Sequence, residues 1–262
     1  MRNTAGTSGG GLLIDGCDAQ IDTGGSMVGG LFFNISANTA VTGGGIAVSN
    51  AGSVVIGLDS TADSHPLIIN NTASNAGGGI HVEGEGTHVQ LLNAIVAGNE
   101  VTGLSGVGGG VAASNGAFTS IARTRTRCPG ASGGHCSRIS GNSAAFGGAV
   151  AVSTGAQAAV VSTRILSNTA TQGGSTYLAV RADAELRSGN NVITDNTGPG
   201  VVAISPTSFT GPRRATVSFF GDTIADNPGA TGVVAAHAEG LAGFGRSIVN
   251  APAAVPVALC TA

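Results

Sequence analysis

The chain contains no lysine and no tryptophan, and only 10% of its residues are charged and 3% aromatic. All 11 basic residues are therefore arginines, and with a formal net charge of −3 they form no basic run that would bind nucleic acid. Without large aromatic side chains, the core must be built from Ile, Val, Leu and Ala in regular stacks. We therefore expect no nucleic-acid partner and a fold that gains its stability from repetition.

Long apolar runs are also missing, because no window approaches the ~18 to 20 apolar residues that a transmembrane helix needs. The first residues, MRNTAGTSGGGLLID, lack the basic start and apolar segment of a secretory signal. No linker or change in composition divides residues 1–262, so we expect a single elongated domain. Either the export signal lies elsewhere or this is an excised piece, and we expect a piece of a longer chain or a chain whose ends meet a capping partner.

The four cysteines, at positions 17, 128, 136 and 260, show no metal-binding spacing. Cys128 and Cys136 flank a short glycine-rich loop, which predicts a disulfide in an oxidising compartment, with two free thiols as the alternative. Cys17 and Cys260 stand at opposite ends of the chain and cannot meet in an elongated body. Each is expected to be free or to pair with chain outside this sequence.

Glycine, in contrast, is abundant, with 45 residues, and it recurs in a repeat of about 30 residues. The stretch Ile35 to Val48, ISANTAVTGGGIAV, shows the unit: an aliphatic residue, an asparagine, small residues, a glycine turn and a short alternating strand. The repeat asparagines are Asn38, Asn71, Asn99, Asn142, Asn168, Asn196 and Asn227. Three residues before them stand Ile35, Ile68, Val96, Ile139, Ile165, Ile193 and Ile224.

A unit of two or three short strands cannot bury its apolar face alone, so it must stack on its neighbours. The predicted fold is therefore all-β, a parallel β-helix of eight to nine coils; a β-propeller is disfavoured because the period is too short and Trp is absent. The asparagines are expected to bend the chain in the left-handed conformation and to form a ladder, and the small residues after them to make a tight bend. In the strands after the glycines, Ile46, Ile80, Val111 and Val150 should face inward, and Ala47, His81, Ala112 and Ala151 outward.

These motifs resemble a known group. The IxxN elements followed by GGGI (Gly43 to Ile46, Gly77 to Ile80) or GGAV (Gly147 to Val150) are similar to the repeats of polymorphic outer-membrane proteins and autotransporter passengers of bacteria. That family carries FxxN where this chain has IxxN or VxxN. The resemblance covers roughly residues 1–250 and implies a single-stranded, right-handed, pectate-lyase-like solenoid, exported and exposed at the cell surface, in some members as an adhesin.

The same fold also hosts pectate lyases and polygalacturonases, which implies a polysaccharide lyase or glycoside hydrolase as the alternative function. The NTD, DD, GHG and RIK segments of polygalacturonases have no convincing counterpart here. Asn196-Thr197-Gly198 lacks the aspartate, no DD dipeptide occurs, and the Gly-Gly-His at Gly133 to His135 runs into Cys136. The weak catalytic candidates are Asp195, Asp222 and Asp226. Asp195 and Asp226 each precede a repeat asparagine, so they should stack ~5 Å apart on adjacent coils and could bind Ca²⁺; otherwise they are solvated turn residues.

The second candidate set is Arg123, Arg125 and Arg127, which lead into the Cys128 loop. The insertion around residues 122–138 should protrude, and alternating arginines on one strand would all face the same side, suited to an acidic glycan or to phosphate. The alternative is a solvated loop. His81 and His88 have no metal-binding partner in the pattern and are expected at the surface.

Together these features predict a non-enzymatic scaffold, secreted or displayed on a bacterial surface or outer membrane, with an adhesive or structural role. The expected partners are a surface glycan or a protein of a host or neighbouring cell. No cofactor is expected, with Ca²⁺ as the one ion that the aspartates would hold.

Overall fold

The computed structural model describes residues 2–21, 33–57, 65–124, 137–172, 178–181, 183–198, 202–205, 215–228, 235–236 and 241–249. Within these ranges the chain forms 29 β-strands and no helix, and the strands pair in parallel with the equivalent strands one coil away. The predicted all-β parallel β-helix is thereby confirmed. No part of the chain that the structure describes forms a helix with the length and apolar character needed to cross a bilayer.

Four parallel sheets run along the body, and we name them A to D in the order in which a coil passes through them. Sheet A follows the repeat asparagines and contains β4 (Thr39–Thr42), β8 (Thr72–Ala76), β12 (Glu100–Val101), β16 (Ser143–Ala144) and β20 (Thr169–Ala170). Sheet B follows the glycine turns and contains β1 (Leu12–Asp15), β5 (Ile46–Ser49), β9 (Ile80–Glu83), β13 (Val111–Ser114), β17 (Val150–Val152), β21 (Leu178–Arg181), β24 (Val202–Ser205) and β27 (Ala235–Ala236).

Sheets C and D complete each coil. Sheet C contains β2 (Asp18–Ile21), β6 (Ser53–Ile56), β10 (His88–Leu92), β14 (Phe118–Ala122), β18 (Gln157–Val161), β22 (Glu185–Gly189), β25 (Thr216–Phe220) and β28 (Leu241–Gly245). Sheet D contains β3 (Asn34–Ser36), β7 (Leu67–Ile69), β11 (Ile95–Ala97), β15 (Arg138–Ser140), β19 (Arg164–Leu166), β23 (Val192–Thr194), β26 (Thr223–Ala225) and β29 (Ile248–Val249).

The number of complete coils is smaller than predicted. Sheets B, C and D each have eight strands, but sheet A has five in the described residues, so five coils carry all four strands. Sheet A ends at β20 because the residues after the later asparagines do not favour a strand. Gly198 lies two residues after Asn196, and Pro228, which has no N–H to donate, directly follows Asn227.

The interior of the β-helix is built from columns of like residues. Ile35, Ile68, Val96, Ile139, Ile165, Ile193 and Ile224 align in register in sheet D and are all buried. The inward residues predicted for sheet B, Ile46, Ile80, Val111 and Val150, are each 0% exposed and belong to the same hydrophobic cluster. Stacking identical aliphatic side chains one coil apart therefore supplies the core that the low aromatic content requires.

Two local predictions at the asparagine corner were wrong. The small residues after the asparagine form sheet A rather than a tight bend, and Ala73, Val101 and Ala144 make a second small hydrophobic cluster. The repeat therefore holds four strands rather than three. The left-handed conformation belongs not to the asparagine but to the residue before it, as at Asn70 (φ 55°) and Gly98 (φ 63°). The bend is thus made one residue early, and the asparagine side chain is left free to turn inward.

The glycine turns between sheets A and B fold back over the outer side of sheet B. Gly43 adopts φ 59°, and a Cβ added there would lie 2.9 Å from the Cβ of Ala47 in the following strand. Cβ atoms added at Gly108 and Gly147 would lie at least as close to the Cβ atoms of Ala112 and Ala151, respectively. A side chain on the first glycine of the turn would collide with the strand, so glycine is required there by both conformation and space.

Candidate functional site

The repeat asparagines form a continuous internal ladder. The main-chain N–H and the side-chain Nδ2 of Asn71 both donate to Oδ1 of Asn99, each at 3.0 Å, and Nδ2 of Asn71 also donates to the carbonyl of Ile35 at 2.9 Å. The main-chain and side-chain bonds between successive asparagines recur at every step from Asn38 to Asn227. All seven side chains are buried. These asparagines therefore satisfy the buried backbone at the corner and present no group to a ligand.

Asp195 and Asp226 occupy the corner position that precedes a ladder asparagine. Both are exposed and left-handed, with φ 57° and 51°, and the N–H of Asp195 donates to the carbonyl of Asp226 at 3.0 Å. Their backbones therefore stack on adjacent coils, about 4.8 Å apart. Aspartate is one of the few residues that tolerates this conformation, which accounts for its presence here. Binding of Ca²⁺ by the pair stays a prediction.

Asp222 lies away from the other two aspartates, at the opposite end of β26. The three residues of β26 separate it from Asp226, so the two Cα atoms are about 13 Å apart, and Asp222 is 1% exposed. Its Oδ1 accepts the N–H of Asn191 at 2.7 Å, and its Oδ2 accepts the N–H of Phe220 at 3.1 Å. Burial raises the pKa of the Asp222 carboxyl, and the donated hydrogen bonds hold back part of that rise.

Asp222 belongs to a second polar ladder, at the corner between sheets C and D, that the sequence reasoning missed. The N–H of Thr163 donates to Asn191 Oδ1 at 2.8 Å, and the N–H of Asp222 donates to Ser247 Oγ at 3.2 Å. The sequence signal was a polar residue two positions after the end of the later sheet C strands: Thr124, Thr163, Asn191, Asp222 and Ser247 follow β14, β18, β22, β25 and β28. Asp222 therefore acts as a ladder residue, and its carboxylate does not converge with Asp195 or Asp226.

The arginine set is described only at its first member. Arg123 follows β14 and its N–H donates to the carbonyl of Val161 at 3.3 Å. The insertion predicted around residues 122–138 falls between β14 and β15, and Arg125, Arg127, Cys128 and Cys136 lie outside the described residues. The predicted disulfide and the predicted anion-binding strand therefore lie there too.

The two terminal cysteines differ in what the structure describes. Cys17 is a free, exposed thiol between β1 and β2. Cys260 lies outside the described residues. Whether either thiol pairs with chain beyond this sequence stays a prediction.

The two histidines do not lie freely at the surface as predicted. His88 is half-buried in sheet C, where its ring meets Phe118 edge-on with centroids 5.0 Å apart. His81 in β9 is only 7% exposed, and burial lowers the pKa of its imidazole, an effect that the nearby Glu83 carboxylate opposes. His81 therefore favours the neutral ring, which carries one donor and one acceptor.

His81 lies in a groove of about 230 Å³ on the outer side of sheet B. Its floor carries Ala112 and Ala151, which the alternation predicted to face outward and which do so, although they are 3% and 5% exposed. They are buried because the glycine turns bring the ends of the sheet A strands over this face. Sequence alternation identifies the face of a strand but not the concavity between two sheets.

The groove spans three levels of sheet B, β9, β13 and β17, and its two walls are polar. Glu83, Ser114 and Ser153 stand on the sheet B side, and Thr42 and Asn75 stand on the sheet A side. Glu83 is held in place by Asn115, whose Nδ2 donates to its Oε1 at 2.7 Å. The groove thus combines a neutral imidazole, one carboxylate, an amide and hydroxyls over an alanine floor.

An arginine crosses the concave face one level beyond this groove. Arg181 follows Ser153 in the outward column of sheet B, and its guanidinium carbon lies 3.9 Å from the ring centroid of Phe146, on the sheet A side. Burial lowers the pKa of Arg181, but an arginine remains charged at neutral pH.

The described residues bring together no group of three or more His, Cys, Asp or Glu side chains that could hold a metal ion. Comparisons with protein families, with curated proteins and with solved structures found no match to this chain. The similarity to outer-membrane repeats rests on the sequence motifs, and the β-helix itself rests on the parallel sheets.

Proposed function

We propose that this chain is a non-enzymatic β-helix scaffold, exported or displayed at a cell surface, with an adhesive or structural role. The observation that carries the proposal is the uninterrupted ladder from Asn38 to Asn227. The recurring residues of the repeat are all used to stack one coil on the next. A chain built in this way makes a long, regular body whose outer positions are free to vary.

The outer face of sheet C supports this proposal because it changes at every level. In register along one outward column lie Ser53, His88, Phe118, Gln157, Glu185 and Thr216. The neighbouring inward column stays buried from Val54 to Val217. Constant inner columns with variable outer columns are typical of repeat scaffolds that present a binding surface along their length.

The export part of the proposal follows from the resemblance of the IxxN and glycine-turn motifs to bacterial surface passengers. Its partners would be a surface glycan or a protein of a host or neighbouring cell. A protease added to intact producing cells should cleave the chain if it is displayed at the surface. Full protection in intact cells, with cleavage only after lysis, would contradict surface display.

The functional test uses the purified full chain in two assays, with heat-unfolded protein as the control. Folded protein should be retained on cell surfaces or on immobilised surface polysaccharide, and unfolded protein should be retained less. The same preparation should release no unsaturated or reducing sugar from pectin, alginate and similar polymers. Sugar release would overturn the scaffold proposal, and the absence of specific retention would overturn the adhesive one.

The second candidate, a polysaccharide lyase or hydrolase, is favoured by one observation. His81 and Glu83 lie two residues apart on the same face of β9, so an imidazole and a carboxylate share the groove. Release of sugar that is abolished in His81→Ala would establish this alternative.

A further inference from the structure

His81 interrupts a column that begins at Leu13 and is otherwise alanine from Ala47 to Ala179. The equivalent residues on adjacent levels of sheet B are Ala47 and Ala112, followed by Ala151 and Ala179. Alanine suits this column because the glycine turn folds over it, so packing does not explain a histidine. The backbone does not explain it either, since His81 lies within a regular strand.

The His81 ring is buried without a hydrogen-bond partner among the described residues. It is 7% exposed and forms part of the groove lining. Its nitrogens are nevertheless not sealed off, since the buried side-chain atoms without a partner among the described residues are His88 Nε2 and Thr119 Oγ1. The His81 nitrogens therefore face the groove, where a ligand can hydrogen-bond to them.

We propose that the groove over His81 binds a segment of an uncharged glycan chain lying along the axis of the β-helix. The inference rests on the proposed adhesive function and names its site and ligand class. His81, Asn75, Thr42, Ser114 and Ser153 offer donors and acceptors to sugar hydroxyls, and the alanine floor packs against the C–H face of a sugar ring.

The charges of the groove favour a neutral ligand. Glu83 would repel an acidic glycan. The guanidinium of Arg181, one level beyond the groove, already lies on Phe146. A neutral chain avoids the repulsion and can donate a hydroxyl to the carboxylate.

The backbone of the groove floor disfavours an extended peptide. β13 is already paired with β9 on one side and with β17 on the other, so it has no free edge to which a peptide strand could add. A peptide would therefore leave much of its own backbone unpaired. A glycan carries its polar groups on the outside of each ring and meets the side chains directly.

The repeat of the fold also suits a chain of rings. Successive levels of a parallel sheet lie about 4.8 Å apart, comparable to the length of one pyranose residue. The serines Ser114 and Ser153 occupy the same outward column on adjacent levels. Each ring of a bound segment would therefore meet an equivalent set of side chains.

The test is isothermal titration calorimetry of the full chain with neutral hexasaccharides: cellohexaose, mannohexaose, xylohexaose and chitohexaose. Oligogalacturonate and an extended Ser/Gly-rich peptide serve as the acidic and peptide comparators. At least one neutral hexasaccharide should bind, and His81→Ala should weaken that binding at least about tenfold, the effect of one lost hydrogen bond of ~1.4 kcal/mol. His81→Ala should fold, because alanine is the residue of this column on the adjacent levels.

Two further variants locate the site. Ala112→Leu, which adds bulk to the floor, should also weaken binding, whereas His88→Ala in sheet C should leave the Kd within about twofold. Equal binding by wild type and His81→Ala, tighter binding of either comparator, or no binding of any neutral hexasaccharide would each overturn the inference. If wild type and His81→Ala are retained equally on cells, the groove is not the adhesive site, and the adhesive function itself still stands. Hexasaccharide binding that depends on His81, without cell retention, would support the groove as a glycan site and overturn the adhesive function.

Discussion

Replacing the ladder residue Asn99 by alanine should destabilise the middle of the β-helix. The change removes four side-chain hydrogen bonds: two that Asn99 accepts from Asn71, one that it donates to the Ile68 carbonyl, and one that it donates to Asn142. Asn99 is 0% exposed, so no bulk water replaces these partners.

The magnitude follows from counting these bonds. At ~1 kcal/mol for each net hydrogen bond, the loss of unfolding free energy amounts to about 4 kcal/mol. The buried donors of Asn71 would also lose their acceptor on Asn99, and this penalty keeps the loss from being much smaller. This is a large share of the 5 to 15 kcal/mol that stabilises a typical protein, as an order of magnitude. The matched control is Asn70→Gly at the exposed corner, where φ is 55° and glycine fits, and it should change stability by less than ~0.5 kcal/mol.

The assay is urea unfolding followed by far-UV circular dichroism, together with hydrogen exchange at the Asn71 amide. In Asn99→Ala that amide loses its acceptor, so its exchange should accelerate well beyond the change in Asn70→Gly. If the two variants differ by less than ~1 kcal/mol in unfolding free energy, with equal Asn71 protection, the ladder does not stabilise the coil stack as argued.

Four more predictions concern single positions. A Cβ on Gly78 would lie 2.5 Å from the Gly109 carbonyl oxygen, so Gly78→Ala should cost at least ~1 to 3 kcal/mol in denaturant unfolding, whereas Gly6→Ala, with nothing within 4 Å, should be close to neutral. The buried hydroxyl of Thr119 has no partner among the described residues, so Thr119→Val should raise the unfolding free energy by ~1 kcal/mol; a loss would refute this. Because the pKa of Asp222 is raised in the folded state, its contribution to the unfolding free energy is fully present below its ordinary pKa of 3.8. That contribution is lost as pH rises through the folded-state pKa. Asp222→Asn should therefore gain stability relative to wild type as pH rises from 3.8, and an unchanging difference would contradict the shift. The lowered pKa of His81 has the opposite consequence. Its contribution to the unfolding free energy is fully present above pH 6.5 and is lost as pH falls toward the folded-state pKa. On acidification, wild type should therefore lose stability relative to His81→Ala.

The sequence predicted the features that depend on like residues stacking on like residues. An aliphatic residue three positions before each asparagine predicted the buried column of sheet D, and the glycine triplets predicted the turns. Both patterns survive because a parallel β-helix places equivalent residues of neighbouring coils in contact. The column from Ile35 to Ile224 could therefore be read directly from the repeat.

The features that the sequence did not predict depend on how one sheet lies relative to another. Alternation assigned Ala112 and His81 to the outer face, but their burial results from the turn that brings sheet A over sheet B. The bend before the asparagine was misplaced by one residue because several residue types, at Ala37, Ser167 and Asp195, adopt the left-handed conformation there. The second ladder was missed because its residue type varies from coil to coil among serine, threonine, asparagine and aspartate, so no single amino acid recurs in the repeat.

The fold explains some of the residues that depart from the repeat and leaves one of them unexplained. Asp195 and Asp226 depart at a corner that requires a left-handed residue, and Asp222 departs within a ladder that requires an acceptor, so each has a local structural cause. His81 has none: its strand is regular, its neighbours in the column are alanines, and its ring lacks a partner in the part of the chain that the structure describes. A residue that neither the packing nor the backbone of its strand explains is the one for which selection by a ligand is the most economical explanation.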